Sequence, residues 1–411
     1  MNYLANITDL TAKLFTMVTR MGSRILWSAV IGFSIMSVFL VSTASASTSA
    51  ESGDWPNWLG KALQQAPSSH WQADVVGESV TFSPTQALPK VLVIVSRKAT
   101  SYDIALKTLL SVYSRELPQT QWIVKQLPSN PIALAALLKQ AEKKVNLIYT
   151  LGSKATVEVR NLYAGGKLPV ISVNAKDPVQ LGLIDKYSGS GDNFAFTSLN
   201  LPADVILSFM KRFNPSLKNI GILYANTNRS AYLTQFLPLK AVAEQAGIKI
   251  VPIAVDETMA DLQLDLAMER AIADLKENDP QLEHSLLWLT GSSSLLSRVD
   301  EINRYSQKLA LISAVPDVVN QSQDSALMSF GVSFVNNAHQ AAIYGLQVIN
   351  DQVDVGDLPV GVISPPDIAI SFQQAQRIKQ KVPFVLMEMA SDVYGVNGTV
   401  VRMDGKPVKE R

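Results

Sequence analysis

The chain has 411 residues, with 36 Lys and Arg against 35 Asp and Glu, and it contains no cysteine. Domains commonly hold about 100 to 200 residues, so this length predicts two domains, and the balanced charge without long blocks of one sign argues against a nucleic-acid partner. The lack of cysteine excludes disulfides, thiolate metal sites and thiol nucleophiles. We expect structural or surface roles for His70, His284 and His339, and neither a metal nor a cofactor.

The first fifty residues predict a secretory signal. Arg24 precedes an apolar run over residues 25–41, and a small-x-small site ends at Ala46. We expect cleavage after about Ala46. The alternative is an uncleaved anchor helix, because the run nearly reaches the roughly 17–20 residues that span a bilayer. A lipid anchor would need a cysteine, so we expect a mature protein free in the periplasm of a two-membrane bacterium.

Residues 47–88 are rich in Ser, Pro, Gln and Trp, and we interpret them as a lead-in outside the main fold. After Pro89, short apolar runs alternate with segments whose apolar residues recur with the period of an amphipathic helix. The predicted strands are KVLVIVS, QWIVKQL, VNLIYTL, LPVISVN, NIGILYA, IKIVPIAV, SLLWLTG, LALISAV and SALMSFGV. The predicted helices are 102–116, 132–143, 203–213, 233–245, 262–276 and 338–349.

The alternation of strands and helices predicts right-handed βαβ units, hence parallel sheets with helices on both faces. The near-continuous Val, Ile and Leu content of the strands agrees, because parallel strands are buried on both sides. About five strands precede residue 201 and about four follow it before residue 333. The predicted fold class is therefore α/β, with two open, Rossmann-like parallel-sheet lobes rather than one large sheet.

Small polar residues follow six of the predicted strands. In open α/β sheets, ligands bind outside the carboxyl ends of the strands, where loops converge and free helix N–H groups favour an anion. An ordinary turn or helix cap explains most of these residues one at a time, but together they predict a cleft between two facing sheets. The candidate ligand-binding residues are Ser96, Ser153, Lys154, Asn174, Asp177, Asn228, Ser230, Ser292 and Asp317.

Motifs for catalysis are missing from the sequence. Residues 291–295 lack the second glycine of a G-x-S-x-G nucleophile elbow. Ser208 and Lys211 match S-x-x-K, but they lie within a predicted helix and no Ser-Asp-Asn or Lys-Thr-Gly partner exists. The chain also lacks a phosphate-binding G-x-x-x-x-G-K-[ST] loop. We therefore expect a binding protein and not an enzyme.

From about Val91 to Tyr394 the chain resembles the ABC transporter substrate-binding family, whose best-characterised members bind aromatic amino acids. The likeness lies in KDPVQLGLI, preceded by LGSKAT and LPVISV, and continues through PSLKNIGILYANTNRSA, SFGVSFVNNAHQAAIYGLQVINDQ and DLPVGVISPPDIAISFQQAQRI. The resemblance implies the type I periplasmic binding protein fold, in which two lobes joined by a three-strand hinge close around a ligand. It places the crossovers near residues 199–202, 330–333 and 359–364.

The same resemblance divides the mature chain. The N-terminal lobe is expected to comprise residues 89–200 and 333–360, and the C-terminal lobe residues 201–332 and 361–392. Residues 393–411 form a tail whose Asn-Gly and Asp-Gly turn signals predict a small hairpin.

The resemblance also implies a function: a monomer that captures a small polar solute, an amino acid or related compound, and delivers it to an inner-membrane ABC permease. The alternative is a sensing module that signals to a membrane kinase or cyclase. In amino-acid-binding members a carboxylate takes the ligand's ammonium group, and hydroxyls or helix N-termini take its carboxylate. This implies Asp177 or Asp317 for the first role, and Ser153 or Ser230 for the second.

Basic residues distinguish this sequence from the family that it resembles. The loop SRKATSYD carries Arg97 and Lys98 where the family tends to have a His-Pro pair, and Arg229 stands where relatives commonly have Asn. The alternatives are that these side chains point outward, or that they face the cleft. In the second case we expect a ligand that is more anionic than a plain amino acid.

Overall fold

The computed structural model describes residues 53–65, 71–84, 88–256 and 260–408. The predicted signal segment, residues 1–46, lies outside the described residues. Among the helices of the described residues, none combines the length and the hydrophobicity needed to traverse a bilayer.

The first lobe is built on a seven-stranded sheet with the order β1-β2-β4-β3-β5-β6-β7. Its strands are β1 (Gln72–Val76), β2 (Ser79–Ser83), β3 (Lys90–Val95), β4 (Gln121–Gln126), β5 (Leu147–Leu151), β6 (Val170–Val173) and β7 (Phe194–Ala195). The strands from β3 to β7 pair in parallel. Strand β5 is buried at every position, as expected for a strand covered on both faces.

Helices cover both faces of this sheet. The α-helices of the described chain are α1 (Thr100–Glu116), α2 (Pro131–Ala141), α3 (Ser153–Tyr163), α4 (Ala203–Phe213), α5 (Arg229–Ala231), α6 (Leu237–Gln245), α7 (Ala260–Asn278), α8 (Ser293–Leu296), α9 (Val299–Tyr305), α10 (Phe334–Ile349), α11 (Phe372–Arg377) and α12 (Phe384–Met389). Helices α1 and α10 pack on one face of the first sheet, and α2 and α3 pack on the other. All six helices predicted from periodicity are present, although a π-helical turn, Tyr232–Phe236, precedes α6.

The second lobe is built on a nine-stranded sheet with the order β10-β9-β11-β12-β13-β15-β16-β17-β18. Its strands are β9 (Asn219–Ala225), β10 (Lys249–Val255), β11 (Ser285–Leu289), β12 (Ala310–Ser313), β13 (Met328–Gly331), β15 (Asp367–Ser371), β16 (Asp392–Tyr394), β17 (Val400–Met403) and β18 (Lys406–Pro407). The strands from β9 to β13 pair in parallel. The α/β prediction of two parallel-sheet lobes is therefore confirmed.

Three chain passages join the two sheets. They follow β8 (Thr197–Ser198), β13 and β14 (Gly361–Val362), and β8 and β14 pair in parallel as a separate two-stranded sheet. After the second passage, α10 returns to the first lobe and packs against α1. The passages lie together and form the hinge between the lobes.

The expectation that residues 47–88 lie outside the main fold is wrong for their described part. Strands β1 and β2 form a hairpin that extends the first sheet, with β2 antiparallel to β4. Trp58 and Trp71 are buried in the core beneath it, and the Trp58 Nε1–H donates to Glu78 Oε2 at 2.8 Å. The composition did not indicate this packing, because the apolar residues of the segment are scattered among Ser and Pro and only two positions of β2 point into the core.

The tail closes the far edge of the second sheet. Strand β17 pairs antiparallel with β16, and β17 and β18 form the expected hairpin. Its turn uses Asp404 and Gly405, both with positive φ angles, which is the turn chemistry that the Asp-Gly pair predicts.

Candidate functional site

A cavity of about 530 Å³ lies between the two lobes. Its walls are formed by residues that follow parallel strands of both sheets, as expected for ligand sites in open α/β sheets. Its volume falls within the range of about 300 to 1,000 Å³ that small-molecule pockets occupy. Six of the nine sequence-predicted residues line it, namely Ser96, Ser153, Lys154, Asn174, Asn228 and Ser230.

Two serines fix the loops of the first lobe at the cavity wall. The Ser96 hydroxyl donates to the Leu151 carbonyl at 2.7 Å and accepts from the Ala155 amide at 2.9 Å. The Ser153 hydroxyl accepts from the Lys176 amide at 2.9 Å. These hydroxyls thus hold the N-terminus of α3 against the ends of β3 and β6, and the first-turn N–H groups of α3 lie at the cavity, without acceptors inside the helix.

Asn174 stands at the end of β6 in a left-handed conformation, with φ of 49°. Its backbone amide donates to Asn337 Oδ1 at 2.8 Å, and its Nδ2 donates to the Ser101 carbonyl at 3.0 Å. The Asn174 Oδ1 and the Ser101 hydroxyl are both buried without a hydrogen-bond partner, and both residues line the cavity. A buried polar atom without a partner is costly, so both groups lie unsatisfied just behind the cavity wall.

Lys176 lies at the junction of the lobes and is only 5% exposed. Its ammonium donates to Gln235 Oε1, across the cavity in the second lobe, at 3.1 Å. The same oxygen accepts from the Gly291 amide at 2.7 Å. Burial lowers the pKa of Lys176 to about 7. A β-carbon at residue 291 would overlap the Lys176 Nζ, so glycine there allows the ammonium to approach.

Further cationic side chains line the cavity. Arg97 and Arg229 both border it and are otherwise exposed to solvent. Lys154 is 69% exposed and pairs with Glu158 at 3.8 Å, and Glu158 is the only acid among the lining residues of the described chain. Arg97 and Arg229 thus border the cavity, as the second alternative requires, whereas Lys98 borders only an adjoining hollow.

Apolar side chains from both lobes complete the wall. They are Val157, Leu181, Leu199, Leu233 and Phe334. Tyr102 of α1 also lines the cavity, and burial raises the pKa of its hydroxyl, which lies close to Ser96, Arg97 and Ser293.

The second lobe presents a preformed cap at the cavity. The Asn228 Oδ1 accepts from the Ala231 amide at 3.0 Å and from the Ser230 hydroxyl at 2.9 Å. The Asn228 Nδ2 donates to the Ser292 hydroxyl at 3.3 Å. Ser292 is fully buried and does not line the cavity, so it acts on the wall through Asn228.

The structure places Asp177 outside the cavity. Its carboxylate accepts from the Val179 and Gln180 amides, both at 2.9 Å, and from the Tyr187 hydroxyl at 2.8 Å. It borders a separate hollow beside the hinge. Its oxygens therefore cap the local loop, which leaves the implied contact with a ligand's ammonium group without support in this geometry.

Asp317 also lies outside the cavity. It borders an adjoining hollow of about 480 Å³, where its carboxylate accepts from the Phe334 amide at 3.3 Å. Burial raises the pKa of Asp317 to about 6, with a further contribution from Asp367 and Asp392. Arg97, Ser101, Ser293 and Phe334 line both spaces.

Sequence reasoning missed Lys176 and Gln235. Lys176 directly precedes Asp177 in the loop after β6. Asp177 was selected as the candidate instead, because the ammonium group of an amino-acid ligand needs a carboxylate. A lysine between a buried strand and a helix-like turn was the available signal. Gln235 carries no such signal, because it becomes part of the site only when the second lobe meets the first. Within the described residues, no group of three or more His, Asp or Glu side chains could hold a metal ion.

The family model of ABC transporter substrate binding proteins matches residues 107–393. The chain belongs to this family. The family consists of substrate binding proteins, which agrees with the lack of catalytic motifs in the sequence. A tyrosine-binding protein of Clostridioides difficile (strain R20291) is 28% identical over 121 residues, which cover 29% of this chain and 34% of that protein. The chain thus matches about a third of the length of this curated relative.

Solved structures share the fold. An ABC domain from Streptococcus pneumoniae in complex with L-Trp has a TM-score of 0.60 and 19% identity, covering 74% of this chain and 99% of that one. A conserved domain protein from Vibrio cholerae has a TM-score of 0.58 and 18% identity, with the same coverage. The ligand-free, open structure of a substrate binding protein with adhesive properties from Clostridium difficile has a TM-score of 0.55 and 17% identity, covering 72% and 97%. The type I periplasmic binding protein fold is thereby confirmed.

Proposed function

We propose that this chain captures a small polar organic solute between its lobes and delivers it to an ABC transporter permease. The observation that carries the proposal is the cavity that both sheets wall jointly. Family membership supports the same function. We further propose that the protein acts in the periplasm, as the predicted signal segment implies, and that it acts there as a monomer.

A contact across the cavity suggests how capture proceeds. Lys176 of the first lobe donates a hydrogen bond to Gln235 of the second at 3.1 Å. A solute that touches both walls favours the arrangement in which the lobes meet, because only differential affinity shifts such an equilibrium. The three passages at the hinge then absorb the motion, and the closed form is the one that a permease would recognise.

Binding can be tested with a matched pair of substitutions. Leu233 lines the cavity, so Leu233→Trp should fill it and abolish ligand binding in isothermal titration calorimetry. Leu237 lies one helical turn later, is 38% exposed and does not border the cavity, so Leu237→Trp is the control. Equal affinities of the two variants for the same small solute would contradict capture in this cavity.

Delivery needs a separate test. A strain that lacks this protein should lose uptake of the radiolabelled solute, and the gene for the wild type should restore uptake while the gene for the Leu233→Trp variant should not. Full uptake without the protein would overturn delivery, even where binding in vitro is measured.

A further inference from the structure

We infer that the captured solute is an organic acid without an ammonium group, and that its carboxylate pairs with the Lys176 ammonium at the junction of the lobes. This inference rests on the proposed function and names the chemical class of its solute.

Lys176 lacks a counter-charge. It is 5% exposed, and its hydrogen-bond partner in the described chain is the neutral Gln235 amide, at 3.1 Å. An ammonium group has three donors, so two remain unused. Burying an unpaired charge is strongly unfavourable. A carboxylate that enters the cavity would supply both the missing charge and the missing acceptors.

The remaining groups of the cavity favour an anion as well. Arg97, Arg229 and Lys154 add positive charge at its wall, against Glu158 alone, and Glu158 already pairs with Lys154. Cavities lined by one sign of charge concentrate ligands of the opposite sign. The backbone amides of Ser153 and Lys154, which have no acceptor inside α3, act in the same direction.

An amino acid fits this site less well than the matching organic acid, which has no ammonium group. The ammonium of a zwitterion needs a carboxylate, and the two acids implied for that role, Asp177 and Asp317, lie outside the cavity. The Asn174 Oδ1 and the Ser101 hydroxyl are buried without a hydrogen-bond partner, and neither carries the negative charge that an ammonium group needs. The apolar wall suits an aromatic or aliphatic body.

The test uses sets of three related compounds that differ in charge, namely an acid, the matching amino acid and an amine that lacks the carboxylate. One set is 3-(4-hydroxyphenyl)propanoate, L-tyrosine and tyramine, and a second is succinate, L-aspartate and β-alanine amide. Protein is unfolded, dialysed and refolded to remove bound solutes, and each affinity is measured by calorimetry. In at least one set, the acid should bind about tenfold or more tightly than the amino acid, and the amine should not bind.

Two outcomes separate this inference from the proposed function. Tighter binding of an amino acid than of its matched acid overturns the inference and leaves capture in the cavity intact. Failure of every compound, extended to other organic acids, amino acids and amines of similar size, counts against the cavity as a binding site and so overturns both.

Substitutions test the assigned contact itself. Gln235→Glu places a carboxylate of nearly the same shape beside Lys176, so it should weaken binding of the acid about tenfold or more while the fold is kept. Lys176→Met should weaken it similarly. Gln180→Glu adds the same charge on an exposed loop position outside the cavity, and it should leave the affinity within about threefold. An unchanged affinity in Gln235→Glu would overturn the pairing with Lys176.

Discussion

Replacing Lys176 with methionine should stabilise the ligand-free protein at neutral pH, because methionine fills similar space without a buried charge. Burial lowers the pKa of Lys176 from 10.5 to about 7. The unfolded chain therefore holds this proton more tightly, so the destabilising effect is fully present below about pH 7 and is relieved as the pH rises towards 10.5. At about 1.4 kcal/mol per pKa unit, the full effect is about 5 kcal/mol. Local relaxation reduces it, and we expect a gain of about 1 to 4 kcal/mol at pH 6.5.

The assay is urea unfolding of refolded, ligand-stripped protein, followed by tryptophan fluorescence at pH 6.5 and pH 9.5. The stability difference between Lys176→Met and wild type should fall at pH 9.5 to about a third of its value at pH 6.5. Lys186→Met, at an exposed position of the same connection, is the control and should show no such dependence. Equal stabilities of Lys176→Met and wild type at both pH values would refute the buried, unpaired ammonium.

Three further substitutions test other parts of the account. Asp177→Ala should lower the free energy of unfolding by about 1 to 2 kcal/mol, since it removes a loop cap, and should keep the Kd of the tightest acid within about threefold; a large loss of affinity at unchanged stability would return Asp177 to the site. Trp58→Ala should cost about 3 to 5 kcal/mol in urea unfolding, and a cost below about 1 kcal/mol would mean that the lead-in adds little to the core. Gly291→Ala should weaken acid binding about tenfold, because its methyl group meets the Lys176 ammonium; calorimetry with an unchanged Kd would contradict that close approach.

Most of the fold follows from periodicity, which reports burial directly. The run NLIYTL predicts a strand buried on both faces, and β5 is buried at every position. The segment 203–213 predicts a helix with one apolar face, and α4 buries Ile206, Phe209 and Met210. The lead-in hairpin could not be predicted in this way, because β2 buries two of its five positions and pairs with β4, some forty residues away. Such pairing is specified by the tertiary contacts of both strands and not by local pattern.

The sequence predicted where the candidate site lies, but it did not predict which residues make its contacts. The rule for strand ends brought six of nine residues to one cavity, because the topology alone gathers those loops. That rule could not show which side-chain oxygens already accept hydrogen bonds within the protein. The Asp177 carboxylate accepts hydrogen bonds from the amides two and three residues further along the chain. In the sequence, an aspartate with this local capping role looks the same as one that binds a ligand. Nor could the rule show that Lys176 is buried, because lysine is buried only rarely and its cover comes from the other lobe.

The most direct test of the central claim is native mass spectrometry of the protein purified from its own host. We predict one bound small organic acid per chain, retained in the wild type and absent from Leu233→Trp and Gln235→Glu. A bare polypeptide mass for wild-type protein, which remains bare after incubation with the acids, amino acids and amines named above, would contradict capture of a solute between the lobes.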